Sequence, residues 1–120
     1  KSMAIHNDIG KQGEQLATEY LVSQQYKILE KNFRYKKAEI DIIALKNNIL
    51  AIIEVKTRTS VTFGEPESFV NAKKIKLILE ATNAYIDSKS IDYEISLDII
   101  SVVIGKKNEI NHIKNAYYHF

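Results

Sequence analysis

The chain contains no cysteine, which excludes disulfides and thiolate metal sites and leaves the redox compartment otherwise open. It holds one proline and four glycines in 120 residues, so no Pro- or Gly-rich linker divides it. At this length one domain with one core is expected. Neither sign of charge dominates: 17 Lys and Arg stand against 15 Asp and Glu, and the net +2 is too small to imply nucleic acid by itself. The apolar runs are too short to span a bilayer and the N-terminus lacks a secretory core. No membrane is therefore expected, and the cytoplasm is the default location. Lys1-Ser2 ahead of Met3 reads as a cloning remnant, leaving a domain from Met3 to Phe120.

What is present is concentrated between Ala38 and Arg58, where two runs rich in Ile, Leu, Val and Ala flank Asn47-Asn48. Asparagine tolerates positive φ, so this dipeptide predicts a tight hairpin. The register then sets Asp41 across from Glu54 and Glu39 across from Lys56. Strand alternation puts these four on one face and Ile40, Ile42, Ile53 and Val55 on the other. Opposed carboxylates, with Cβ atoms about 4.5–5.5 Å apart, are destabilising. The repulsion can be relieved by a carboxyl that stays protonated, by a nearby lysine, or by a divalent cation between the two. Asp41, Glu54 and the Val55 carbonyl offer hard oxygens that suit Mg²⁺ or Mn²⁺ rather than Zn²⁺. The same charges also fit a solvated polar face with a Glu39–Lys56 ion pair.

Ahead of the hairpin, Asn7 or Asp8 can cap a helix over IGKQGEQLATEYLVSQQ. Its face carries Gly13, Leu16, Ala17, Tyr20 and Leu21, with Glu14 at the border. Gly10 and Gly13 each cost about 1 kcal/mol relative to Ala in a helix interior, which predicts a close approach by another element. Tyr26 to Tyr35 predicts a strand with a bend at Asn32. Arg34 and Tyr35 suit sheet-edge packing, or a phosphate and a base.

Beyond Lys56, TRTSVTFGEPES predicts a loop placed to close over a substrate. Arg58 shares the face of Lys56, where a guanidinium can clamp a phosphate or be a plain surface cation. Asn71 can cap the helix AKKIKLILEATNAYIDSK, with Ile75, Ile78, Leu79, Thr82, Tyr85 and Ile86 toward the sheet. Lys73, Lys74 and Lys76, early in that helix, are either solvated or near a phosphate. Glu94 to Ile104 predicts a strand covered on both faces, with Asp98 as a hydrogen-bonded anchor, and Glu109 to Ile113 a last strand. Neither His112 nor His119 has a partner at metal-ligand spacing, and no chemistry is assigned to them.

Asp41, followed by a hydrophobic strand ending in Glu54-Val55-Lys56, looks like the PD-(D/E)xK nuclease core. The wider pattern comprises GKQGEQLATEYL from Gly10, AEIDIIA from Ala38, IIEVKTR from Ile52, SLDIISV from Ser96 and INHIKNAY from Ile110. Together these resemble the YraN-like family of uncharacterised bacterial proteins, which is similar to archaeal Holliday-junction resolvases. The resemblance covers nearly the whole chain; Ala38 departs from it, standing where the family usually has Gly.

The resemblance implies an α/β restriction-endonuclease-like sandwich, a mixed central sheet flanked by helices in the order αβββαββ. It implies metal-dependent hydrolysis of phosphodiester bonds in DNA, branched or structured rather than plain duplex. Asp41, Glu54, the Val55 carbonyl and Glu14 would hold Mg²⁺ or Mn²⁺, and Lys56 would orient the attacking water or stabilise the transition state. Arg58 and Lys74 would meet the substrate. The expected partner is nucleic acid, DNA ahead of RNA, and a homodimer is a candidate assembly. A nucleic-acid-binding module that keeps the fold without cutting is the alternative. A third reading is an interaction protein whose charged sheet face binds a protein partner.

Overall fold

A computed structural model describes residues 2–59, 72–90 and 92–117, with side chains from Asp8 onward. The elements are α1 (Ser2–Ser23), β1 (Lys27–Tyr35), β2 (Ala38–Lys46), β3 (Ile49–Arg58), α2 (Ala72–Lys89), β4 (Glu94–Val103) and β5 (Glu109–Ile113). This is the expected order αβββαββ, consistent with a restriction-endonuclease-like fold. The Asn71 cap, His119 and all but the start of the expected substrate loop lie outside the described residues. Helix α1 begins before the expected cap at Asn7 or Asp8, because Ser2 to His6 contain neither Pro nor Gly and nothing there forces a later start. No helix among the described residues is long and apolar enough to cross a membrane.

Asn47 and Asn48 both take left-handed backbone, with φ of 53° and 65°, as a two-residue turn matched to strand twist requires. β2 and β3 accordingly pair with Ile42 opposite Ile53 and Leu45 opposite Leu50. The five strands lie in the order β1-β2-β3-β4-β5, all antiparallel except β3 and β4. That parallel pair needs a long crossover, and α2 lies within it.

Each face of the sheet is covered by one helix. Under α1, Ala17 and Leu21 pack on Ile42, Ala44, Ile53 and Ile100. Under α2, Ile75, Ile78 and Tyr85 pack on Ile40, Ile43, Ile52 and Ile99. β4 contributes to both layers through Ile99 and Ile100, which explains its nearly continuous apolar run. In α2 the inward stripe includes Ala81, whereas Leu79, expected to face the sheet, is 43% exposed; it lies one step around the helix from Ile78, beyond the stripe.

Two local departures from regular geometry shape the end of the hairpin. Ile40 and Ile42, expected on one face, fall on opposite faces, so the pleat flips at Asp41. Across from Asp41, between the paired Lys31–Ile42 and Phe33–Ile40, stands Asn32 with φ of 56°. A left-handed residue within a strand breaks the two-residue alternation and kinks the ladder. The second departure is a close approach at Gly13, where an added Cβ would collide with the Thr57 side chain. Only a glycine lets α1 touch β3 there. Gly10 meets nothing within 4 Å, so the expected compensation holds for one of the two glycines.

Candidate metal and phosphate site

The β2–β3 ladder ends at Ile42–Ile53, and Asp41 and Glu54 are the next residues on each strand. Beyond this point β2 stays with β1, while β3 stays with β4, Lys56 opposite Ser101. The strands part, and the freed Val55 N–H donates to Asp41 Oδ2 at 2.8 Å. A side-chain oxygen thus replaces the lost backbone partner of a half-buried strand. The opening is lined by Glu39, Ile40, Ile52, Glu54, Ile78 and Tyr117.

Glu54, whose side chain is 13% exposed, meets Lys56 Nζ at 2.9 Å. Lys74, reaching across from α2, donates to the same oxygen, Oε2. The Tyr117 hydroxyl donates to the other oxygen, Oε1, at 3.1 Å. The Glu39–Lys56 pair of the solvated-face alternative does not form, because the strands have already separated. Glu39 instead faces Arg34 across β1, with Nε and Oε2 3.8 Å apart.

The two carboxylates are driven in opposite directions. Burial pushes the Asp41 carboxyl up to about 6; the Val55 N–H opposes this, and the charges of Glu14, Glu54 and Glu39 add to it. Burial also pushes Glu54 up, but hydrogen bonds and charge from Lys74 and Lys56 outweigh it and hold Glu54 below its ordinary range. Two of the three reliefs open to opposed carboxylates are therefore in use: easier protonation at one, lysines at the other.

Glu14 is half-buried on α1 and close enough for its charge to act on Asp41. Among the described residues, no three His, Cys, Asp or Glu side chains converge as a ready metal cage. The donor set of Asp41 and Glu54 nevertheless consists of hard oxygens. The excess negative charge around Asp41 is what a divalent cation would neutralise, in competition with the two ammonium groups on Glu54. Arg58 is half-buried at the end of β3, opposite Val103. Lys74 is held at Glu54, while Lys73 and Lys76 are exposed.

A second polar cluster lies beneath α1. Asp98, 1% exposed, accepts from the Asn115 N–H at 3.1 Å, and the Ser96 hydroxyl lies 2.5 Å from the same oxygen. His112 Nε2 is 2.8 Å from its other oxygen. With Nε2–H given to the carboxylate, Nδ1 is left to accept from the Tyr20 hydroxyl 3.1 Å away. Asp98 is the expected anchor. Its partner His112 carries no such signal in the sequence, although alternation puts it on the face of β5 shared with Ile110. Tyr117 also escapes the pattern: it lies in a turn, where no periodicity points inward.

A family model described as uncharacterised protein family UPF0102 matches residues 13–102, a span that contains Glu14, Asp41, Glu54, Lys56 and Asp98. A UPF0102 protein of Flavobacterium psychrophilum is 52% identical over 119 residues, covering 98% of this chain and all of that protein. One from Flavobacterium johnsoniae is 49% identical over 123 residues, with the same coverage. A UPF0102 protein of Clostridium botulinum is 42% identical over 117 residues, covering 94% of this chain and 96% of its own length.

Proposed function

Starting from a chain that belongs to the UPF0102 (YraN-like) family, we propose that it is a metal-dependent endonuclease. Its substrate on this reading is DNA, branched or structured rather than plain duplex, met in the cytoplasm. The observation that carries the reading is the parting of β2 and β3 at Asp41 and Glu54. It leaves two carboxylates with opposed electrostatics beside Lys56. Strongly perturbed acids with named charge partners at the end of a sheet are a common mark of a functional site.

Asp41, Glu54, the Val55 carbonyl and Glu14 would hold Mg²⁺ or Mn²⁺. A divalent cation there supplies Lewis acidity toward the phosphoryl oxygens and a nucleophile usable at neutral pH. Lys56 orients the attacking water or stabilises charge on the phosphate, its ammonium already 2.9 Å from Glu54. Lys74, which donates to Glu54 Oε2, and Arg58 would meet phosphate oxygens of the substrate.

A second reading, a nucleic-acid-binding module that does not cut, is favoured by one observation: Glu54 already carries two lysine partners. Cleavage of labelled four-way junction, flap, single-stranded and duplex DNA with Mg²⁺ or Mn²⁺ separates the two. Metal-dependent cutting that Glu54→Ala and Lys56→Ala both abolish establishes the nuclease. Tight binding without cutting under either metal establishes the module instead.

A further inference from the structure

We propose that Tyr117 is a positioning residue for Glu54, holding Oε1 fixed so that Oε2 alone exchanges its lysine partners for a metal ion. This rests on the reading of Glu54 as a cation ligand. The two oxygens of Glu54 are treated differently by the fold. Oε2 meets Lys56 and Lys74, charges on long flexible stems that a divalent cation can displace. Oε1 meets a neutral phenol at 3.1 Å, on a side chain 7% exposed and packed in the cluster under α2.

That phenol is held from behind. Tyr117 lies in the turn after β5. Within the turn the Asn115 N–H donates to buried Asp98 at 3.1 Å, and the Ala116 N–H donates to the Leu97 carbonyl at 2.8 Å. Asn115 takes the left-handed backbone this path needs, with φ of 51°. The Asp98 cluster therefore fixes the turn, and the turn presents Tyr117 to Glu54 independently of Glu54 itself. A phenol is an O–H donor throughout the neutral range. Hydrogen bonds that hold a ligating carboxylate in one orientation are typically worth about 10–100-fold in metal affinity.

The test is a Mn²⁺ titration of the whole chain, with free Mn²⁺ followed by electron paramagnetic resonance. Tyr117→Phe keeps the ring and removes only the hydroxyl. It is expected to weaken Mn²⁺ binding by about 10–100-fold while the metal-free melting temperature stays within a few degrees of wild type. Tyr85→Phe, whose ring packs on Phe33 at 5.3 Å in the same cluster, should bind as wild type does. Wild-type affinity in Tyr117→Phe overturns the proposal and leaves the nuclease reading standing. Failure of the wild type itself to take up Mn²⁺ removes the ligand reading, and this proposal with it.

Should Tyr117→Phe not fold, ¹³C-tyrosine-labelled wild type gives a second measurement. Among the tyrosines of the described residues, Tyr117 should be broadened first by Mn²⁺. First broadening of Tyr20, Tyr26, Tyr35, Tyr85 or Tyr93 overturns the proposal.

Discussion

Asp41 and Asp98 are two aspartates on strands of one sheet, and their surroundings could hardly differ more. Asp98 is fully buried with a histidine, a hydroxyl and a backbone N–H around it, so its lone pairs are met by donors and its charge by an orientable imidazole. Asp41 has one backbone donor and three acidic neighbours. A saturated carboxylate holds elements together; a frustrated one is poised to take something up. Asp98 is the more deeply buried of the two, but the balance of donors against like charges is what separates their roles.

The sharpest way to break the comparison is at the frustrated end. Glu54→Ala and Lys56→Ala should each lower single-turnover cleavage by about 10²–10⁴-fold. Metal-free melting should move little in Glu54→Ala, because relief of Asp41 offsets the loss of the lysine partners. Asp98→Ala should do the reverse to stability, costing about 3–5 kcal/mol in urea unfolding by leaving the buried histidine and the Asn115 N–H without their partner. A near-neutral Asp98→Ala would erase the distinction.

The contrast also has a pH signature. The folded state holds the Asp41 proton more tightly than the unfolded chain, with the pKa raised from 3.8 to about 6. Its contribution to metal-free stability is therefore complete below about pH 4 and is lost as pH rises through 6, worth at most about 3 kcal/mol. Asp41→Asn should flatten that slope in urea titrations between about pH 4 and 7. Glu54, held low, acts in the opposite sense: its contribution is present above about pH 4.5 and fades below it. The smallest effect is expected at the rim of the satisfied cluster. Tyr20→Phe removes the 3.1 Å contact to His112, should cost about 0.5–1.5 kcal/mol, and should leave cleavage unchanged.

Much of the fold and half of the site are legible in the chain because they are local. Two asparagines that accept left-handed backbone define the hairpin, and apolar alternation fixes its register, which sets Asp41 and Glu54 at one level. The flip of Ile40 to the other face is not legible, since strict alternation is the assumption that a kink at Asn32 violates. The contacts of Glu54 with Lys74 and Tyr117 depend on how α2 and the turn after β5 dock, and such long-range packing leaves no periodic trace. The same holds for His112, whose neighbour Asp98 lies on another strand with its partner register set by the whole sheet. Composition offers no help either: a net charge of +2 conceals a patch where Asp41, Glu54, Glu14 and Glu39 outnumber Lys56 and Lys74.

Gly13 precedes Glu14, and Thr57 follows Lys56 in the sequence. The contact between Gly13 and Thr57 therefore sets how deeply the helix glutamate hangs over the carboxylates of the sheet. The depth of the cleft is gauged by a missing methyl group on one side and a threonine on the other. Neither residue is chemically part of the site, yet any carbon added at position 13 or removed at position 57 resets the distance across it. Substitution at either position would shift Glu14 relative to Asp41 while leaving every acid and lysine in the chain.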